Sequence, residues 1–293
     1  MRPDLIVFAG TNILLAWSFW VILASGQVSL GNAGFMALGA YGASWLTVNS
    51  HLPLWPALLL SSTVTAGLGM AIGLAAIRTH GIYLVMLTVG IGQMVQVILV
   101  NVSAVGGARG FSGMQGTTVG DVAVAVVVVG LVLWRLSGSP IGRAFQAVKE
   151  DPAAAAASGL NVVWVKLISF GCGAFLAALA GGLYAHYILF IRPDQFGFLA
   201  STSPALYVIL GGADNVFGPI LGAALMTLLP EYIRPLQAWK VTAFGCIVLL
   251  VIVFRPKGIL SRADLARLRL GFKRPSAGLA VDAPAAGTSD AGS

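Results

Sequence analysis

Three polar side chains, Gln27, Ser29 and Asn32, sit among Gly26, Gly31 and Gly34 in the run Gly26-Gln27-Val28-Ser29-Leu30-Gly31-Asn32-Ala33-Gly34, inside an otherwise apolar stretch. Amide and hydroxyl groups at this spacing can offer a polar solute hydrogen bonds in place of water, and the interleaved glycines let the backbone leave helical geometry. That chemistry is solvation rather than bond making. A second group, Glu150-Asp151-Pro152, heads five alanines at 153–157 and is followed by Ser158 and Gly159. A third is Asp214, in Gly211-Gly212-Ala213-Asp214-Asn215, just ahead of Gly218-Pro219.

The elements that must position these groups are built for lipid. Residues 5–77 contain no Asp, Glu, Lys or Arg, and at about 20 residues per bilayer crossing this is room for three consecutive spans. A charge at the bilayer centre costs roughly 2.5–3.5 kcal/mol on insertion scales, so an uncharged run of this length has lipid as its solvent. Of 293 residues 58% are hydrophobic and 9% charged, against about 25% charged in soluble domains; a large water-facing domain is excluded. The 37 glycines suit closely packed membrane helices. Apolar windows near 5–24, 35–49, 55–77, 82–101, 119–137, 166–187, 201–230 and 238–254 predict an all-α, polytopic transmembrane bundle of about eight spans, broken or re-entrant helices included. This domain covers 1–260. A basic juxtamembrane segment at 261–274 and a disordered tail at 275–293, rich in Ala, Gly, Pro and Ser, complete the chain.

Charge sets the expected orientation. Residues 255–274 hold Arg255, Lys257, Arg262, Arg267, Arg269, Lys273 and Arg274 against one acid, Asp264. After a long apolar run the positive-inside rule accounts for this better than nucleic-acid binding does, and it places the C-terminus in the cytoplasm. The polar stretch 137–166, with Arg143 and Lys149, is then also inside. The 166–187 span runs outward to Tyr184, His186 and Tyr187, and 201–230 begins and ends outside. Its arms, 201–213 and 215–230, reach only about 20 and 24 Å, short of a hydrocarbon core of about 30 Å. A broken, partly re-entrant pair of helices fits, and irregular backbone at that depth must be sheltered by protein or a watery cavity. Asp214 reads first as an exposed acid at the break, with gating, shared by Gly211, Gly212, Gly218 and Pro219, as the sharper alternative. The 26–34 run reads either as a polar turn between spans or as an unwound segment beside a translocation path. The length of 25–49 favours the second reading. The side of the N-terminus stays open, and the opening apolar run is too long for a signal-peptide core.

Within the polar loop at 138–166 the local signals are dense. Asp151 suits an N-cap, Pro152 the first helical position, five alanines the interior and Gly159 a left-handed C-cap. They specify a helix of about two turns, too short to hold alone in water, slim enough to enter a groove on another protein.

Taken together the motifs resemble the permease subunits of ATP-binding-cassette importers for branched-chain amino acids, of the second-permease type, over about 20–260. The carriers are Gly26 to Phe35 with Gly39-Ala40-Tyr41, and Gly81-Ile82-Tyr83-Leu84-Val85-Met86-Leu87-Thr88 leading to Gln93-Met94. Others are Ser139-Pro140-Ile141-Gly142-Arg143, Leu210-Gly211-Gly212, Phe217-Gly218-Pro219-Ile220-Leu221-Gly222-Ala223 and Phe254-Arg255-Pro256-Lys257-Gly258. The resemblance implies a bacterial inner-membrane permease half that pairs with a second permease, two cytoplasmic ATPase subunits and a periplasmic binding protein. In it Arg143, Glu150, Asp151, Pro152, Ala153, Ala154 and Gly159 would form the coupling element, and Gln27, Ser29, Gly31, Asn32 and Gln93 would line the pathway. The outer loop Gly106-Gly107-Ala108-Arg109-Gly110 departs from the small polar or acidic residues more usual in such proteins.

Other chemistries find little support. There is no G-x-x-x-x-G-K-[ST] phosphate loop, so this chain does not hydrolyse ATP by that route; the resemblance implies that ATP and Mg are used by partner ATPases, and no cofactor is expected on this chain. His51, His80 and His186 lack metal-ligand spacing and read as interfacial; Cys172 and Cys246 read as buried thiols. No chain of membrane-embedded acids and histidines of the kind proton-coupled carriers use is present. A stand-alone carrier would move solute without ATP, and a membrane scaffold would move none. Urea, short amides and sugars stand beside branched-chain amino acids as cargo.

Overall fold

The computed structural model describes residues 3–232 except Arg78, His80 and Gln115, together with Gly245. The expected 238–254 span, Lys240, Cys246, the 254–258 motif, the basic segment and the tail lie outside the described residues. Among the described residues ten α-helices follow one another where long apolar runs are cut by Gly, Asn, Ser or Pro. They are α1 (Pro3–Ala24), α2 (Asn32–Asn49), α3 (Leu54–Ala76), α4 (Ile82–Asn101), α5 (Val119–Gly138), α6 (Pro140–Glu150), α7 (Pro152–Ala157), α8 (Val162–Ile188), α9 (Phe198–Gly211) and α10 (Gly218–Tyr232). Five of them, α1, α3, α4, α5 and α8, are long and apolar enough to cross a membrane. α2 has 18 residues, about 27 Å of helix.

The bundle is organised around α8, whose 27 residues extend about 40 Å. In lipid, helices gain little from burying apolar surface against one another, so close approach of backbones must hold them. α8 supplies it through Gly173, Ala177, Ala178, Gly181, Gly182 and Ala185, all buried. A Cβ on Gly39 of α2 would strike the backbone of Ala178, and one on Gly181 the carbonyl of Met36. Phe35 and Phe170 meet edge to face, ring centroids 6.0 Å apart.

Contacts along α8 fix the direction of its neighbours. Ser25, just past α1, hydrogen-bonds Ser169 near the start of α8, while Thr47 of α2 bonds His186 near its end. α2 therefore runs parallel to α8. α1 runs the other way, since the Tyr187 hydroxyl donates to Asp4. Phe8 packs on both Tyr184 and Tyr187. The start of α1 thus lies at the end of the bundle away from α6 and α7. At that same end β1 (Phe111–Ser112) pairs antiparallel with β2 (Phe190–Ile191), and Thr118 and Asp121 close a capping box on α5.

Two elements differ in extent from the sequence expectation. The 138–166 loop holds α6 as well as the short alanine helix. Ser139 Oγ accepts from the Gly142 N–H, Pro140 takes the first helical position, and Gly142, Phe145 and Val148 bury every third residue against the bundle. Only one narrow stripe of α6 is apolar, so an apolar-window reading passes over it. The break in the 201–230 stretch is also wider than expected, leaving arms of 14 and 15 residues.

Candidate functional site

The segment between α1 and α2 is non-helical from Ser25 to Gly31, and its polar side chains are buried. Gln27 is 3% exposed, while Ser25, Ser29 and Asn32 are fully buried. The backbone finds local partners: the Leu30 N–H donates to Thr88 Oγ1 at 3.1 Å, and the Gly31 N–H to Ser29 Oγ at 3.3 Å. Asn32 Nδ2 donates to Ser18 Oγ at 3.0 Å. Ser18 lies well within α1, so the chain turns back into the bundle before α2 begins. Asn32 Oδ1 is buried and accepts no hydrogen bond among the described residues; buried polar atoms normally have a partner, so an unused acceptor stands at this depth. Gln93, half-buried on α4, follows Gly92, whose Cα would lie 2.9 Å from a Cβ on Gly34. Gln27, Ser29, Gly31 and Asn32 are thus all buried while Gly26 and Val28, on either side of Gln27 along the chain, are exposed, and Gln93 sits beside the close approach of Gly92 to Gly34.

The second feature is the hairpin of α9 and α10. Asn12 Nδ2 donates to Thr227 Oγ1 at 3.0 Å, so α10 climbs back alongside α1 towards the end where α9 started. The tip between them would leave carbonyls unpaired at membrane depth, where each costs several kcal/mol. α1 satisfies two of them. Trp20 Nε1 donates to the Ala213 carbonyl and Trp17 Nε1 to the Val216 carbonyl, each at 2.8 Å. Gly211, Gly218 and Gly222 carry no side chain where the two arms touch backbone to backbone. Gly212, Val216 and Pro219 are buried too, whereas Asp214 and Phe217 are exposed. The re-entrant geometry agrees with the sequence expectation. The two tryptophans escaped it, although two indoles three residues apart on one helix face are a signal that N–H acceptors must lie nearby.

The third feature is α7. Asp151 Oδ1 accepts from the N–H groups of Ala153 at 2.8 Å and Ala154 at 3.1 Å. At the other end Leu160 N–H reaches the Ala155 carbonyl and Gly159 N–H that of Ala156, both about 3 Å, with Gly159 at φ +87°. This is a Schellman motif. Glu150, Asp151, Pro152, Ala153, Ala154 and Gly159 are all exposed and Ala155 alone is buried, so the helix is a knob on the bundle end. Arg143 is exposed on α6 beside it and donates to the Gly138 carbonyl at 3.3 Å.

His186 is fully buried rather than interfacial, bonded to the Gly182 carbonyl at 2.7 Å and to Thr47 at 3.0 Å. Among the described residues no group of three His, Cys, Asp or Glu side chains could hold a metal ion.

Residues 2–255 match the family described as the branched-chain amino acid transport system permease component. The chain belongs to this family. It is 30% identical to the high-affinity branched-chain amino acid transport system permease protein LivM of Salmonella typhimurium, covering 82% of this chain and 65% of that protein. Identity to Escherichia coli K12 LivM is also 30%, over 88% and 68%. The autoinducer 2 import system permease protein LsrC of Escherichia coli is 26% identical over 64% of this chain and 52% of its own length. The chain thus spans about two thirds of the length of the LivM proteins. No solved structure matches it. Family membership and five apolar helices make this permease-family chain a multi-pass membrane protein.

Proposed function

We propose that the chain is one permease subunit of an ATP-binding-cassette importer in the bacterial inner membrane. With a second permease it forms the transmembrane path for branched-chain amino acids delivered by a periplasmic binding protein. The α6–α7 end faces the cytoplasm, where two ATPase subunits bind and hydrolyse ATP with Mg. α7 seats in one of them, and Arg143 and Glu150 flank the seat. The observation that carries this reading is α7 itself: a six-residue helix, stopped at both ends and exposed on nearly every side, has a shape suited to a groove and little to do for its own bundle. The two LivM relatives support the cargo. ATP binding pushes the knob, and the bundle rocks between outward- and inward-open states. Solute passes beside the Gln27–Asn32 cluster and Gln93, with the α9–α10 tip as gate. Few charges line this path, so binding there is weak and selectivity sits mainly in the binding protein.

The double variant Ala154→Glu and Gly159→Pro tests the docking role. Uptake by the reconstituted assembly is expected to fall at least about tenfold, equivalent to roughly 1.4 kcal/mol of lost coupling, with ATPase subunits no longer co-purifying and the permease's melting temperature little changed. Normal transport by that variant overturns the role of α7. Solute accumulation by vesicles holding this chain alone, without ATP, would show a stand-alone carrier instead.

A further inference from the structure

Trp17 and Trp20 do something that the transport reading has not used. Both are deeply buried, at 1% and 9% exposure. Both spend their only polar atom on the tip of the α9–α10 hairpin, 199 and 193 residues away in sequence. The tip itself offers these two carbonyls no intrahelical donor, because α9 has ended and α10 has not begun. The tip's position is therefore written on α1.

α1 is also placed to sense the knob end. Its C-terminal turn leads into Gly26, where a Cβ would lie 3.1 Å from the Cα of Lys149 on α6. The Trp17 ring has a second neighbour: a Cβ on Gly130 of α5 would sit 2.9 Å from it, and α5 runs directly into α6 through Ser139. Two of the elements that α6 meets, α1 and α5, thus both reach the Trp17 indole. Meanwhile Asp214 and Phe217, between and beside the clamped carbonyls, are the exposed side chains of the tip.

We propose that Trp17 and Trp20 are positioning residues: a two-donor clamp on the Ala213 and Val216 carbonyls that sets where the tip presents Asp214 and Phe217, and through which movement of α6 reaches the gate. The inference rests on the transport reading for its consequence, not for its geometry. Trp→Phe at either position keeps an aromatic ring in the core but removes the N–H donor together with part of the indole's volume, so its effect is read against the yield of folded protein. Gly130→Ala reaches the same indole from the α5 side without touching either donor.

The test has two arms. In the first, Asp214→Cys is introduced into a chain whose Cys172 and Cys246 are replaced by Ala, and labelling by a charged thiol reagent is timed in membranes. Trp17→Phe/Trp20→Phe is expected to change that rate roughly fivefold to tenfold, the scale of losing one or two net hydrogen bonds. Trp45→Phe, a partly exposed tryptophan on α2, should leave it alone. An unchanged rate in the double variant overturns the clamp. In the second arm, the full assembly carrying native Asp214 is reconstituted, and substrate moved per ATP hydrolysed is measured. The clamp predicts a several-fold fall in that ratio for Trp17→Phe and for Gly130→Ala while ATP turnover and assembly persist. A purely structural role would lower the yield of folded protein and leave the ratio intact; that result overturns the link to transport. Absence of ATP-driven uptake by the unsubstituted assembly would instead sink the transport reading and the clamp's role in it, while the labelling arm still decides whether the indoles place the tip.

Discussion

Asp151 and Gly159 show how much a single residue can specify here. One carboxylate oxygen receives two backbone donors, and one left-handed glycine lets the chain end the helix about two turns later. Asp151→Ala removes the cap and is expected to cost about 1 kcal/mol locally, read as faster amide exchange at Ala153 and Ala154 with the remainder of the bundle unaffected. Gly159→Ala forces a Cβ into φ +87°, and about 1 kcal/mol again is expected; Gly159→Asn should cost less, since Asn tolerates that region. These features were legible in sequence because the donor and acceptor lie within a few residues of each other. Trp17, Trp20 and His186 were not, because Val216, Ala213 and Thr47, with which they pair, are remote from them in the chain. Nothing in a residue's neighbours along the chain announces Val216 as the partner of Trp17.

At the scale of elements, helix type followed from apolar length and helix role did not. The bundle's periphery illustrates this. α5 turns Val124, Val127, Val128, Leu131 and Val132 outward, a branched aliphatic face with no polar atom, as contact with lipid tails requires. A tryptophan at Val128 is expected to be quenched by brominated lipid, whereas Trp17, sealed within the bundle, should not be; equal quenching would contradict the packing of α1 against α5. The re-entrant pair was readable from arithmetic, since neither arm could cross about 30 Å of hydrocarbon. The run at 26–34 was readable as a break between helices, of which residues 25–31 are non-helical and 32–34 begin α2, but not as buried, because burial depends on α4 and α8 closing over it. α6 was missed for the opposite reason: its caps were visible, but three apolar residues at a spacing of three leave too weak a stripe among charged neighbours.

For the whole molecule, the directions of α1, α2 and α8 make a topological prediction. Cysteines replacing Asp4 and Glu150 should be labelled by a membrane-impermeant reagent from opposite sides of the bilayer; labelling from one side would refute the antiparallel course of α1 and α8. The contact of Gly39 with Ala178 and of Gly181 with Met36 has a further consequence. Two main chains in direct touch leave no layer of side chains to shear, so α2 and α8 behave as a keel about which looser timbers swing. Spin labels placed on these two should keep a constant separation in every state the molecule takes, and whatever opens or shuts must be found among the planks hung on it.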